Sequence, residues 1–168
     1  MKRLLLTVLV LPILMLSGCS DAQTRTSLPV IYIATPKMGE VKFAEVSEMT
    51  PNPKANIQLN LKDPHDKAVL QKVLHWLQTA PYSKLEDQHQ PMPSEGPTTL
   101  ILKLNNGQEA WIQPATNCIT NGNSTTCKSA KGYIDFQYTD STRRTRLKSE
   151  ALDEWLLGAW KHDIVPKG

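Results

Sequence analysis

The sequence predicts one α+β domain, with a mostly antiparallel sheet of about six to seven strands and two helices packed on one face. Three observations lead to this fold class. Short segments alternate apolar and polar residues, as half-buried strands do. Clusters of Gly, Pro, Asn and Asp separate these segments and favour tight turns between antiparallel neighbours. Two other segments repeat apolar residues at helical spacing.

The first three strands are expected before residue 62. Residues 28–34 are rich in Val, Ile and Tyr, and a turn at 35–39 leads to a second strand at 41–49. This pattern predicts an opening hairpin. After a Pro-rich break, Ile57, Leu59 and Leu61 alternate with polar residues and predict a third strand.

The next segment predicts a helix. Asp63 can cap its start, Pro64 suits the first helical position, and Asp66 favours the positive end of the helix dipole. The apolar stripe consists of Val69, Leu70, Val73, Leu74 and Leu77. Pro81 ends the helix and begins a Pro-rich loop at 81–97, which is long for a connection in a compact domain and typical of functional or disordered loops.

Two further hairpins and a second helix follow. Asn106 and Gly107 predict a two-residue turn between strands at 98–104 and 108–113. That turn would pair Leu104 with Glu109, Leu102 with Trp111 and Leu100 with Gln113, and would bury Trp111 with the leucines. Strands at 134–139 and 143–147 form the next hairpin. Ser149 caps the last helix, with a stripe of Leu152, Trp155, Leu156, Ala159 and Trp160.

The N-terminus has the pattern of a secretion signal. Lys2 and Arg3 precede an apolar run at residues 4–16, which is shorter than the roughly 20 residues of a spanning helix. The run ends in Leu16-Ser17-Gly18-Cys19, which closely resembles the lipobox of bacterial lipoproteins. The alternative is an ordinary secretory signal with an incidental cysteine.

The lipobox resemblance implies a location and a domain organisation. Residues 1–18 would be a signal peptide cleaved before Cys19, whose sulfur would carry a diacylglyceryl group. Residues 19–27 would be a flexible tether and 28–168 the globular domain. The protein would sit on the extracytoplasmic face of the cell membrane, or in the outer membrane of a host with two. Two or three acyl chains hold a soluble domain durably at a bilayer.

Charge and cysteine content narrow the class of protein further. Without Lys2 and Arg3, the chain has 17 basic and 16 acidic residues, a balance that argues against nucleic acid as a partner.

With Cys19 lipidated, Cys118 and Cys127 form the remaining pair, and Asn121-Gly122-Asn123 between them favours a turn. We therefore expect a disulfide that staples a hairpin-like loop. A redox or metal site is the alternative for this pair.

Few other residues suggest chemistry. Asp63, His65 and Asp66 could bind a metal, but capping explains both carboxylates and no metal site is expected. The acidic residues Glu86, Asp87, Glu95, Asp153 and Glu154 could form a pair for glycan hydrolysis, but an exposed surface is the preferred explanation for them. His75, His89 and His162 have no recognisable nucleophile beside them.

Arg144, Arg146 and Lys148 alternate after Arg143 and predict a basic strip on one face of a strand. This strip could bind an anionic surface. The alternative is an ordinary solvated strand face.

Two classes of function remain. The preferred one is a non-enzymatic binding module that needs no cofactor. It would bind an envelope protein, an anionic polymer or a small ligand through the Pro-rich loop or the basic strip. The other is a small envelope hydrolase or accessory subunit, for which a pocket with convergent carboxylates or histidines would be evidence. The order of one helix, a Pro-rich loop and hairpins is similar to that of small uncharacterised lipoprotein domains of Gram-positive bacteria, which implies no activity.

Overall fold

An antiparallel sheet of six strands forms the body of the protein. The computed structural model describes residues 34–48, 56–83, 98–141 and 143–164, all within one compact unit. The strand order in the sheet is β2-β1-β3-β4-β5-β6. The strands are β1 (Val41–Ser47), β2 (Asn56–Leu59), β3 (Thr99–Leu104), β4 (Glu109–Asn121), β5 (Ser124–Tyr138) and β6 (Thr145–Lys148). The mixed α+β class is therefore confirmed, with six strands among the described residues.

Helix α1 (Pro64–Thr79) has the start and the buried stripe that the sequence predicts. The Asp63 carboxylate accepts from the backbone N–H of His65 at 2.8 Å and of Asp66 at 3.1 Å, which satisfies two donors at the helix start. All five stripe residues are buried. The helix ends at Thr79, and the backbone of Ala80 is already extended.

The C-terminal helix has the predicted cap but not a uniform course. The Ser149 hydroxyl accepts from the N–H of Leu152, and α2 (Glu150–Glu154) is followed by a π-helical turn at Trp155–Ala159 and by α3 (Trp160–Ile164). Gly158 has non-helical backbone angles inside that turn. Because a π turn inserts a residue, the stripe shifts after Leu156, and Ala159 is exposed instead of buried.

The β3–β4 hairpin has a different register from the predicted one. The Leu104 N–H donates to the Gln108 carbonyl, so the loop has three residues, the last being Gly107 at φ +87°. Leu102 pairs with Ala110, and Trp111 pairs with Ile101. A slip of one residue turns every side chain to the opposite face, so the predicted burial of Trp111 beside the leucines is wrong. Trp111 is half-buried, and its ring N–H donates to Glu109 at 2.6 Å.

One hydrophobic cluster joins the helices to the sheet. It contains the α1 stripe, Leu152, Trp155, Leu156 and Trp160 of the C-terminal helix, and alternate residues of the strands, among them Leu100, Ile112, Ile134 and Phe136. Such a cluster supplies most of the free energy that opposes chain entropy.

Several predicted segments lie outside the described residues. These are the signal peptide at 1–18, the tether at 19–27, most of the first strand at 28–34, and the Pro-rich loop from residue 84 to 97.

β1 is hydrogen-bonded to β2 on one edge and to β3 on the other. Residues 81–83 of the loop run along the outer edge of β6, where the Lys148 N–H donates to the Pro81 carbonyl. In the described parts of the chain, no helix has the length and apolar character needed to cross a membrane.

Candidate functional site

The ends of β4 and β5 form a two-stranded arm. Its pairs run from Thr116 opposite Ser129 to Asn121 opposite Ser124, and we call residues 116–129 the stapled arm. Most of its side chains are exposed, in contrast to the buried middle of both strands. The tip is a two-residue turn whose first residue, Gly122, has φ +60°, as hairpin turns of type II′ require.

A disulfide crosses the stapled arm. Cys118 and Cys127 are directly opposed in the strand register, and their sulfur atoms are 2.02 Å apart. The predicted disulfide is thus confirmed, although the sequence did not indicate that both strands continue through the stapled segment. The cross-link reduces the conformational entropy of the unpaired arm, so the hairpin can be stable with few buried side chains.

A bulge marks where the arm leaves the sheet. Between the pairs Pro114–Ile134 and Thr116–Ser129, one residue of β4 opposes four residues of β5. The bulge includes Gly132 at φ +77°, and a Cβ there would lie 3.0 Å from the Glu150 side chain. The N–H of Gly132 donates to Asp153 of α2 at 2.8 Å, and its carbonyl accepts from the Ser149 N–H. The C-terminal helix therefore holds the base of the arm.

Asp153 differs from the exposed acid that the sequence suggested. Its side chain is buried, and its second carboxylate oxygen, Oδ1, has no hydrogen-bond partner among the described residues. Burial raises the pKa of this carboxyl, the Gly132 N–H opposes the rise, and Glu154 adds to it. The expectation of a surface position is wrong for Asp153 because α2 packs this side of the helix against the β5 bulge.

A buried ion pair also fastens the arm. Arg146 forms a two-pronged contact with Asp135, at 2.8 Å from Nε to Oδ1 and 2.9 Å from Nη2 to Oδ2. The same guanidinium donates to the Thr116 carbonyl at 2.7 Å and to the Asn117 side chain. A planar guanidinium with five donors suits this arrangement, which a lysine could not reproduce.

The predicted basic strip is largely internal. Arg144 and Arg146 are only 7% and 8% exposed, and both face Asp135, with Arg144 Nη1 at 3.5 Å from its Oδ2. Burial lowers the pKa of Arg144, with Asp135 opposing and Arg146 adding to that effect. Lys148 is exposed. The expectation of an exposed strip is wrong for the two arginines, because β5 places an acid directly opposite Arg146.

The two faces of the stapled arm differ in chemistry. One face carries the disulfide between hydroxyl side chains, with the Thr120 and Thr125 oxygens 3.0 Å apart. The other carries Ile119, 63% exposed, surrounded by amide, hydroxyl and lysine side chains, namely Asn117, Asn121, Ser124, Thr126 and Lys128. Residues 115–131 contain two lysines and no acid. The second face, which we call the Ile119 face, combines one apolar side chain with a polar, cationic surround.

Asp63, His65 and Asp66 lie close together at the start of α1. One ligand atom from each lies within 4.8 Å of the others. Both carboxylates are already engaged, since Asp63 caps the helix and Asp66 accepts from the Asn60 N–H at 2.8 Å. The capping interpretation accounts for the geometry of this cluster.

A cleft of about 320 Å³ lies between α1 and the segment that precedes β1. It is lined by Thr35, Lys37, Met38, Gln71, Leu74, His75 and Gln78. Among the described residues, the lining includes one histidine and no carboxylate, so these residues do not provide the pair of acids that glycoside hydrolysis uses. Glu86, Asp87, Glu95 and His89 lie outside the described residues, and His162 lies in α3.

Comparison with known proteins adds no likeness from which a function could be inferred, since no family model, curated protein or solved structure matches the chain. The geometry of the described residues is therefore the basis for a functional assignment. The stapled arm emerges from it as a site that the sequence indicated through two cysteines and the turn residues between them. Asp135 and Asn117, which accept hydrogen bonds from Arg146, carried no sequence signal without the strand register.

Proposed function

We propose that this protein is a lipid-anchored binding module of the extracytoplasmic cell surface, and that the stapled arm is its binding element. The observation that carries the proposal is the arm itself: an exposed, cross-linked hairpin that extends from the sheet and is held at its base. Core formation does not require such an element, because its side chains bury little.

The disulfide supports the proposed location. Disulfides persist in oxidising compartments and are rare in the cytosol. The lipobox at Leu16-Ser17-Gly18-Cys19 implies export and an acylated first residue, with residues 19–27 as the tether. Both observations suit a domain outside the cytoplasmic membrane, close to the bilayer.

The attachment of the arm supports a role in binding. Arg146 holds the β4 side of its base, while Asp153 and Ser149 hold the β5 side through Gly132. Binding costs less when the contacting element is already ordered, since less conformational entropy is lost on association. The staple and the two attachments provide that order.

We also infer that both helices pack on the same face of the sheet. Helix α1 contacts both α2 and α3, and the buried residues of β3, β4 and β5 that join their cluster are alternate residues of those strands. This arrangement would leave the arm and the other face of the sheet accessible to a partner.

Replacing Cys19 with Ser tests the anchor. We expect Cys19→Ser, once its signal segment has been removed, to move from the membrane fraction to the soluble fraction, because a hydroxyl cannot accept the lipid that holds the domain at the bilayer. The matched control is Cys118→Ser with Cys127→Ser, which should stay in the membrane fraction. A Cys19→Ser protein that remains fully membrane-bound after signal removal would refute the anchor.

A further inference from the structure

Ile119 is the distinctive residue of the stapled arm. The described residues include two large exposed apolar side chains, Ile119 at 63% and Leu157 at 55%. A single exposed apolar residue is ordinary on a protein surface. Ile119, however, lies on a hairpin that is cross-linked one residue away, at Cys118. The cross-link restricts the conformations of the backbone that presents this side chain.

The surroundings of Ile119 resemble the rim of a binding site. Thr126 lies directly opposite Ile119, and Lys128 pairs with Asn117 at the base of the same face. These polar side chains can hydrogen-bond to a partner and exclude water around a central apolar anchor, as energetically important contacts in interfaces require.

The charge of the arm indicates the kind of partner. Lys128 and Lys131 are exposed, and no acidic residue lies between positions 115 and 131. Complementary charge favours encounter and orientation. An anionic polymer would satisfy the lysines alone, but it would leave the isoleucine in water, whereas a protein pocket can accept both features.

We propose, building on the binding role proposed above, that Ile119 inserts into an apolar pocket of a partner protein whose rim is acidic and faces Lys128. The apolar side chain supplies the main anchor, and Lys128 orients the complex. The hydroxyl face with the disulfide, on the other side of the arm, stays outside the contact.

Crosslinking in living cells identifies the partner. The full-length chain carries a photo-crosslinking residue in place of Thr126, and a second version carries it in place of Leu157. We expect a discrete protein adduct from position 126 that is absent from position 157. Adducts of position 126 with lipid or polysaccharide alone, or no adduct at all, would overturn the proposal.

Titration with the purified crosslinked partner then tests the contact. Ile119→Ser should weaken binding about 10- to 30-fold, the range of a central interface residue. Lys128→Glu should also weaken binding at low salt, relative to the unaltered protein, and should reduce the salt dependence of the affinity. Leu157→Ser, the matched control, should bind like the unaltered protein.

The titration also separates this proposal from the anchor. Equal affinities of Ile119→Ser and the unaltered protein would refute the role of Ile119, even if Cys19→Ser is released from the membrane. Conversely, loss of binding in Ile119→Ser would support the contact even if the anchor fails its own test.

Discussion

Asp135 and Arg146 show how one buried pair can serve both the core and an exposed element. Inside the sheet, the Asp135 carboxylate is paired with the Arg146 guanidinium. Arg146 also donates hydrogen bonds to Thr116 and Asn117 of the arm. A buried charge needs a partner because its desolvation is costly. The pair therefore couples the ordering of the arm to the integrity of β5 and β6.

Replacing Arg146 should be strongly destabilising. Arg146→Ala would leave the Asp135 carboxylate with less compensation and remove two donors from the arm, and we expect a loss of about 3 to 5 kcal/mol in the free energy of unfolding. Urea denaturation measures it. Arg146→Lys should recover part of the loss, because it restores the charge without the two-pronged geometry.

Lys148 offers a matched control on the same strand, since it is exposed. Lys148→Ala should change the free energy of unfolding by no more than about 0.5 kcal/mol. Equal effects of Arg146→Ala and Lys148→Ala would contradict the structural role of the buried pair.

At the scale of elements, loop length decides which face of the β4 strand is buried. Asn106 and Gly107 correctly predict a hairpin, but the third loop residue shifts the register by one. Ala110 and Ile112 consequently enter the core, and Trp111 does not. Three-residue loops of this kind depend on a residue that tolerates positive φ at their last position.

Gly107→Ala tests the requirement for positive φ in this loop. The φ of +87° strains any residue with a Cβ, and we expect a loss of about 1 to 2 kcal/mol in chemical denaturation. Gly39→Ala is the matched control, because nothing lies within 4 Å of its added Cβ and its φ is not positive. A neutral Gly107→Ala would show that the loop can change its conformation at no cost.

The stapled arm should open locally when its disulfide is removed. Cys118→Ser with Cys127→Ser should lower the free energy of opening by about 2 to 3 kcal/mol, the entropy of closing a short loop. Amide hydrogen exchange at 119–126 should then accelerate about 30- to 150-fold. Amides of β3 should keep their rates, since the arm adds little to the core. Equal acceleration in β3 would mean that the arm and the core unfold together.

For the molecule as a whole, Asp153 connects the C-terminal helix to the base of the arm and makes stability depend on pH. Its folded-state pKa is raised, chiefly by burial, so the folded protein binds this proton more tightly than the unfolded chain does. Stability from this group is present below the ordinary aspartate pKa of about 3.9 and is lost as pH rises through the raised value.

Asp153→Asn should remove this dependence. We expect the free energy of unfolding of the unaltered protein, relative to Asp153→Asn, to fall as pH rises through that window, because only the unaltered protein must ionise a buried carboxyl. Urea midpoints across the window measure the difference. Asp140→Asn, at an exposed turn position, serves as the control. Parallel curves for Asp153→Asn and the unaltered protein would contradict the assignment.

Local signals in the sequence explain which predictions about the fold succeeded. The α1 cap at Asp63, its apolar stripe, the Ser149 cap and the Cys118–Cys127 pair are confirmed. Each depends on residues within a few positions or on the pairing of two cysteines. The return strand after Tyr138 and the approximate positions of β1 to β3 follow from alternation in the same way.

The candidate site was less predictable, because its residues meet across strands. Asn117 and Arg146 are 29 positions apart in the chain, and their contact requires the bulge at Gly132 and the register of β5 with β6. The burial of Arg144 and Arg146 has the same origin. A pattern of alternating cations cannot show that a buried acid stands opposite.

The α+β class, the first helix with its cap, and the pair of cysteines that forms the staple follow from the pattern of residues along the chain. Hydrogen bonding near a helix end and apolar periodicity act over a few residues, so they can be read along the chain. The face of Trp111, the burial of Asp153 and the attachment of the arm arise when distant segments pack together. These depend on strand register and on which charged groups share a low-dielectric interior, and neither is a property of any one segment.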